Sequence, residues 1–580
     1  MKRVFLVCAG IAMLSITAKA QAKEDATKNW YLKDQKVDNY YGISLDKAYD
    51  FLKSKNLKSK TVIVGIVDSG IDTLHEDLKP VLWVNKKEIP GNGIDDDKNG
   101  YIDDINGWNF LGNKNPKENV TKDSYESARV YHQYKSKYEG VNIDVNKLSK
   151  EEQYIYNTWK RAAEEVKNNS AKSNTFEFAA LKKAYDNCVN ADSVLRKSMG
   201  KEEYNGNELA AHNSNDLNIR RAKTVLYGLM AGNQMLDETN KSFLEGLGGY
   251  VRGEESKAQA ATIAPPTYRA SVVKDNYSDI NDQFYGNGNV LVDNESAVHG
   301  THVAGIVGAA RNNGIGVDGV ADNVKIMAVR AVPDGDEHDK DIALGIRYAV
   351  DNGAKVINMS FGKSFSPEKK WVDDAIKYAE KKGVLLIHAA GNDAKNLDEA
   401  FNFPSTVLLD GSRPNNWITV GASGDPAVDG LVANFSNYGK KEVDIFAPGV
   451  KIYNTVPGGN NYRYLQGTSM ASPVVAGVAA LVMSYYPNLS AEQVKEILLK
   501  SAVVPEIEGK NPATSAPAKL ADLSVTGGIV NAYEAVKLAY EISSKSQHNV
   551  PENAAVIPTV KKTAKKPVKK AVAKKKATKK

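Results

Sequence analysis

The run Thr61-Val62-Ile63-Val64-Gly65-Ile66-Val67 is almost entirely β-branched and stops abruptly at Asp68-Ser69-Gly70. A short continuous apolar run closed by turn-forming residues fits a strand buried on both faces and followed by a turn. Comparable runs recur at 324–329, 355–359, 384–389 and 418–420. Helical patterns separate several of them, for example over 339–352 and 367–382. Strands buried on both faces and alternating with helices predict an α/β fold with a mostly parallel central sheet. Residues 469–486 are apolar nearly all round and predict a buried helix. Ser490-Ala491-Glu492-Gln493 has the form of a capping box that opens an amphipathic helix running to Lys500.

The ends of the chain differ from this body. Lys2 and Arg3 precede an apolar stretch over 4–17, and Ala18-Lys19-Ala20 places small residues before Gln21. Residues 1–20 therefore read as a cleaved export signal, giving a periplasmic, cell-surface or extracellular protein with no transmembrane segment in the mature chain. Cys8 lies inside that stretch, so Cys188 is left without a partner and no internal disulfide forms. Residues 21–60 read as an N-terminal arm with a lead-in helix over 42–57. Residues 551–580 are mostly Pro, Ala, Val and Lys, and are expected to be disordered. That tail is either an electrostatic arm for an anionic surface or a solvated end. The whole chain carries +6. The 11 lysines of 561–580 and the three bases of 1–20 come without any acid, leaving −8 on the body. A global nucleic-acid surface is not implied. Residues 111–287 are rich in Lys, Glu, Asn, Ala and Tyr and poor in β-branched runs, so they read as a helical insertion closed by Pro265-Pro266.

Three segments carry chemistry: Val67-Asp68-Ser69-Gly70, His299-Gly300-Thr301-His302 and Gly467-Thr468-Ser469-Met470-Ala471-Ser472-Pro473. A hydroxyl needs an adjacent base to act as a nucleophile near neutral pH. An imidazole can take and return the proton, and a carboxylate can hold that imidazole in the useful tautomer. There is no His-Glu-x-x-His and no Cys cluster, which disfavours a zinc enzyme.

In the order Asp, His, Ser these segments resemble the subtilisin-like serine proteases, or subtilases. The triad logic of that family is a standard case of convergent catalysis. The resemblance covers 61–110 and 288–540 and implies a subtilisin-like three-layer fold for the peptidase domain. It also implies a secreted endopeptidase of broad specificity acting through an acyl-enzyme. Asp68 would be the orienting acid, His299 the base and Ser469 the nucleophile. Ala389-Ala390-Gly391-Asn392-Asp393 implies that Asn392 donates its amide to the oxyanion. Asn358-Met359-Ser360-Phe361-Gly362 implies that Ser360, Phe361 and Gly362 line the substrate, opposite Ala390 and Gly391. His302 reads as structural. No organic cofactor is implied, and the partners are protein or peptide substrates. The competing reading is a non-catalytic adhesive protein that binds anionic polymers through the insertion and the tail.

Calcium enters in two ways. Asp95, Asp97, Asn99, Gly100 and Asp103 follow the spacing of a cation-binding loop, though Asn106 stands where a bidentate Glu is expected and Asp104 is a substitute. The resemblance implies a second site at Asp77 and Asn313. Two departures from the family remain. Asp68 and His299 are 231 residues apart, so the insertion must leave and rejoin one rim. It either walls the cleft, restricts access or docks a partner. The stretch from Gln21 to the first strand at Thr61 is shorter than the propeptide the resemblance implies, so a conventional propeptide is not expected.

Overall fold

The computed structural model describes residues 28–548 except 173–175, 233, 234, 237 and 429. The expected export signal and the Lys-rich tail lie outside the described residues. Seven strands build the main sheet: β1 (Val62–Asp68), β2 (Gly107–Asn109), β3 (Val324–Arg330), β4 (Val356–Met359), β5 (Leu385–Ala389), β6 (Trp417–Ser423) and β7 (Ile445–Pro448). Their order is β2-β3-β1-β4-β5-β6-β7, and every pairing is parallel. β1 lies inside the sheet between β3 and β4, with Val64 opposite both Ile326 and Val356. The five strands expected from apolar runs are all present. β2 and β7 are built from Gly-Trp-Asn and Ile-Phe-Ala-Pro, too short and too mixed to show as apolar runs.

Helices cover both faces. One layer contains Leu45–Ser54, Val298–Gly308, Thr468–Tyr485, Ala491–Lys500 and Ala532–His548, packed through Leu45, Val303, Val474, Val494 and Val536. The other contains Asp339–Asp351 and Lys369–Lys381, packed through Ile342 and Val372. Ser490 and Gln493 form the expected capping box. Thr468–Tyr485 has the length and apolarity of a membrane span, yet 89% of it is buried inside the fold. Its apolar character serves the core. Trp30 and Tyr31 are fully buried in the same core, so the stretch read as an N-terminal arm belongs to it. An antiparallel hairpin, β8 (Ile452–Val456) and β9 (Asn461–Leu465), runs into the start of Thr468–Tyr485.

Between β2 and β3 the chain forms the helices Glu126–Tyr138, Lys150–Lys172, Phe176–Met199, Leu217–Gly232 and Asn240–Gln259, among others. This region leaves and returns at one point: Asn109 N–H donates to the Asn287 carbonyl at 2.9 Å, and Asn287 N–H donates back at 3.1 Å. It has two small cores of its own, one around Tyr131, Trp159 and Val166 and one around Leu195, Leu226 and Phe243.

The seam between these helices and the sheet is ionic. Lys363 Nζ lies 2.6 Å from Glu126 and 2.9 Å from Asp339. Arg129 lies 2.7 Å from Glu126 and donates to the Glu337 carbonyl at 3.0 Å. Farther along, Arg269 pairs with Asp341 and Lys340 with Asp275, each at 2.7 Å. Charges this buried persist only when paired, and removing one partner is costly.

Arg330 is fully buried at the end of β3. It donates to the carbonyls of Ser69 and Val120 at 2.9 and 2.8 Å and to Asn109 Oδ1 at 3.0 Å. It therefore joins the turn after β1, the end of β2 and the start of the helical region. Arg330→Met strands these acceptors and should cost about 2–4 kcal/mol of unfolding free energy, read as a lower urea midpoint. An unchanged midpoint would contradict this role.

Candidate active site

In a parallel sheet all strands end at the same edge. Asp68 closes β1, Ser360 follows β4, and Ala390-Gly391-Asn392 follow β5. His299 is the second residue of Val298–Gly308 and Ser469 the second of Thr468–Tyr485. Crevices beyond the carboxyl ends of such strands are where ligands bind in α/β sheets.

Asp68 is buried, and its Oδ1 accepts from His299 Nδ1 and from Ser69 N–H, each at 2.7 Å. Its Oδ2 is buried with no hydrogen-bond partner among the described residues. The imidazole is 38% exposed, so its other nitrogen is reachable from the cleft. Burial disfavours the imidazolium, but the Asp68 charge and hydrogen bond outweigh it and the His299 pKa is raised. Gly300 lets the helix start lie against the turn after β1. A Cβ there would stand 2.2 Å from the Gly70 carbonyl.

Ser469 sits at the N-terminal end of a buried helix, where free N–H groups and the helix dipole favour negative charge. Its Oγ donates to the Ser360 carbonyl at 3.2 Å. Pro473 is the sixth residue of that helix. Having no N–H, Pro473 cannot donate to the carbonyl four residues back, which is Ser469 O. The Ser360 hydroxyl supplies that bond instead, at 2.9 Å. Asn358 completes the brace: it donates to Ser360 Oγ at 2.9 Å and accepts from Ser472 Oγ at 2.8 Å. Ser360 therefore supports the helix that carries Ser469, in addition to lining the cleft.

Asn392 Oδ1 accepts from both the backbone and the hydroxyl of Thr468 at 2.9 Å. With the oxygen held, the amide nitrogen is the end left to donate. The loop before it is pinned by Thr468 Oγ1 to Gly391 N–H at 3.0 Å, and by Asn402 and Asn437 to the Ala390 carbonyl at 3.0 and 2.8 Å. Gly391 has φ +99°, and a Cβ would stand 2.5 Å from Asn437. Asn358, Asn402, Asn437 and Thr468 were not singled out in the sequence. Apart from the motif positions of Asn358 and Thr468, nothing in local spacing marks them, because their partners are remote.

A cavity of about 600 Å³ runs past His299, lined among others by Ser360, Phe361, Gly362, Val332 and Glu337. Glu337 is only 2% exposed, and its Oε1 has no partner among the described residues. Burial pushes its carboxyl up to about 8. His302 is fully buried, and its Nε2 faces the carbonyls of Ile452 and Arg463 at 3.0 and 3.1 Å. That is a structural role.

The cation loop differs from its sequence reading. Carboxylate oxygens of Asp95 and Asp97 gather with Glu88, all within 4.8 Å of one another. Glu88, outside the spacing template, was missed. Asp103 points elsewhere: its carboxylate accepts from Gly91 and Gly93 N–H at 2.8 and 2.9 Å. Asn99 Oδ1 is engaged by Tyr101 N–H at 2.7 Å. Asp104 is buried under Asn85, Asn99 and Tyr348, and burial raises its carboxyl to about 6. Asp77 and Asn313 do meet, but through the amide nitrogen, which donates to Asp77 Oδ1 at 2.7 Å. Val317 N–H and the Tyr462 hydroxyl occupy the other oxygen, each at 2.9 Å. In this arrangement Asp77 is met by donors alone.

The sequence profile of the Subtilase family, peptidase S8, matches residues 59–527, and the chain belongs to that family. It is 45% identical over 193 residues to the thermophilic serine proteinase of Bacillus sp. strain AK1, covering 33% of this chain and 43% of that protein. It is 42% identical over 207 residues to subtilisin DY of Bacillus licheniformis, covering 35% of this chain and 70% of that one. With subtilisin BL of Lederbergia lenta it shares 39% identity over 241 residues, 41% of this chain and 77% of that one. The chain therefore spans less than half the length of the first of these relatives.

An NMR titration of His299 should give a midpoint above the ordinary value of roughly 6.5. Asp68→Asn removes the charge that favours the imidazolium and should move that midpoint down. A midpoint indifferent to the substitution would show that Asp68 does not control this imidazole.

Proposed function

We propose that the chain is an exported serine endopeptidase that cleaves peptide bonds of proteins with broad specificity. The observation that carries this reading is the 2.7 Å bond between Asp68 and His299, at the same sheet edge as Ser469 and the amide of Asn392. In the first step the Ser469 hydroxyl leaves the Ser360 carbonyl and attacks the substrate carbonyl carbon, while its proton passes to Nε2 of His299. Asp68 stabilises the resulting imidazolium. The developing oxyanion is held by the Asn392 amide and the Ser469 backbone N–H. The imidazolium then gives its proton to the departing amine, leaving an ester on Ser469. Water, deprotonated by His299, hydrolyses that ester and restores the hydroxyl. Ser360, Phe361 and Gly362 on one side and Ala390 and Gly391 on the other hold the substrate backbone. Such main-chain pairing tolerates many side chains.

The Glu88, Asp95 and Asp97 cluster suits a hard divalent cation such as calcium, because three carboxylates so close repel one another without one. Its role is to fix the loop leading into β2.

Ser469→Ala should abolish both casein hydrolysis and reaction with a fluorophosphonate probe. Asn392→Ala should keep the labelling site but lower kcat by roughly 100–1,000-fold, a magnitude known from this family. Retained hydrolysis in Ser469→Ala would refute the assignment. At low salt, EDTA should lower the melting temperature of the wild type and have no effect on Glu88→Gln/Asp97→Asn. Equal responses would rule out this cation site.

A further inference from the structure

A second cavity, of about 620 Å³, lies between the helix Asn240–Gln259 and strand β9. It shares Glu295, Val298, Asp334 and Leu465 with the cleft cavity that contains His299, so the two adjoin. None of the presumed wall residues Ser360, Phe361 and Gly362 lines it. Its size falls within the roughly 300–1,000 Å³ of ligand pockets.

The roof is tied down on both sides. Arg463 on β9 donates to Ser242 Oγ at 2.9 Å, four positions before the helix residue Gly246. On the other side Asp334 N–H donates to the Thr121 carbonyl and Asp123 N–H to the Asp334 carbonyl, each at 2.8 Å. The buried Glu126, Arg129 and Lys363 cluster anchors this second attachment. The helical region is therefore a fixed roof. Beneath it the helix presents Gly246 and Gly249 to open space: a Cβ at Gly246 meets nothing within 4 Å, and one at Gly249 meets only Arg252 at 3.8 Å. Acids and bases both line the passage, including Glu245, Arg252 and Lys451. Mixed charge suits a polypeptide of ordinary composition better than a polymer of one sign.

We propose that this passage is a substrate-binding site that takes the extended stretch of polypeptide running past His299, away from the Ser360–Gly362 wall. It deepens the endopeptidase reading and rests on it for the direction of the chain. A passage bounded by the helix on one side and β9 on the other suits an extended chain better than a folded surface. The substrates are therefore unfolded proteins and peptides.

The test uses full-length Ser469→Ala protein and a fluorescein-labelled unstructured peptide of roughly 12 residues, about 40 Å when extended. Binding is read by fluorescence polarisation. Filling the passage with Gly246→Trp or Gly249→Trp should weaken binding by roughly tenfold or more. Gly228→Trp, on another helix and also facing open space, should leave it unchanged. Circular dichroism melts establish that each variant folds, and a bulky residue replaces Gly in a helix without propensity cost. Binding that is unchanged or tighter in both cavity variants overturns the proposal, as does an equal loss in Gly228→Trp. Hydrolysis of the same peptide by the Ser469 protein is scored separately. Binding lost on filling, with no hydrolysis at all, retires the endopeptidase reading and leaves the passage standing.

Discussion

Everything at the cleft depends on the parallel register of β1 between β3 and β4. Because the strands run the same way, Asp68, Ser360 and the 390–392 loop all emerge at one edge. Two helices then start at that edge, one bringing His299 and the other Ser469. One is fixed by close backbone contact and the other by a side-chain hydroxyl. Gly300 packs on Gly70, and Ser469 O is held by Ser360. The sheet supplies position, and the few polar side chains that cross between strand ends supply orientation.

Those crossing contacts form a single bracing system. Pro473 breaks one helical hydrogen bond, Ser360 makes good the loss, Asn358 supports Ser360, and Ser472 returns to Asn358. Thr468 holds both Asn392 and Gly391. A polar network buried this deeply is favourable only when nearly every member is satisfied, and satisfaction makes it rigid. Among the buried oxygens left without a partner in the described residues, Glu337 Oε1 lines the cleft and Asp68 Oδ2 lies behind His299.

The helical region between Asp68 and His299 is joined to the peptidase scaffold in a different way. Its cores are apolar, one of them taking in Phe365 of the scaffold, and buried ion pairs around Glu126, Lys363 and Asp339 complete the seam. Such a seam is directional. It sets where the roof sits over the cleft more strictly than a greasy contact would, and it does so at a high desolvation cost. The region therefore shapes the approach to the cleft without rebuilding the sheet.

How much of this was legible in the residues depended on range. The five long strands and the capping box at Ser490 follow from local pattern, because burial on both faces and helix starts leave local signatures. Asp68, His299, Ser469 and Asn392 were legible as motif positions. β2 and β7 were not, since Gly107–Asn109 and Ile445–Pro448 are strands only because neighbours offer hydrogen bonds. Glu88 was hidden for the same reason: its tie to Asp95 and Asp97 comes from how the loop folds back, not from spacing. The sequence by itself determined the alternation of strand and helix and the chemical types at the site, because both are written in adjacent residues. Only the tertiary structure decided that Asp103 turns away, that Ser360 braces the helix carrying Ser469, and that an inserted helix lines a cavity adjoining the cleft. Those outcomes depend on contacts between residues tens to hundreds of positions apart, whose distances no local pattern records.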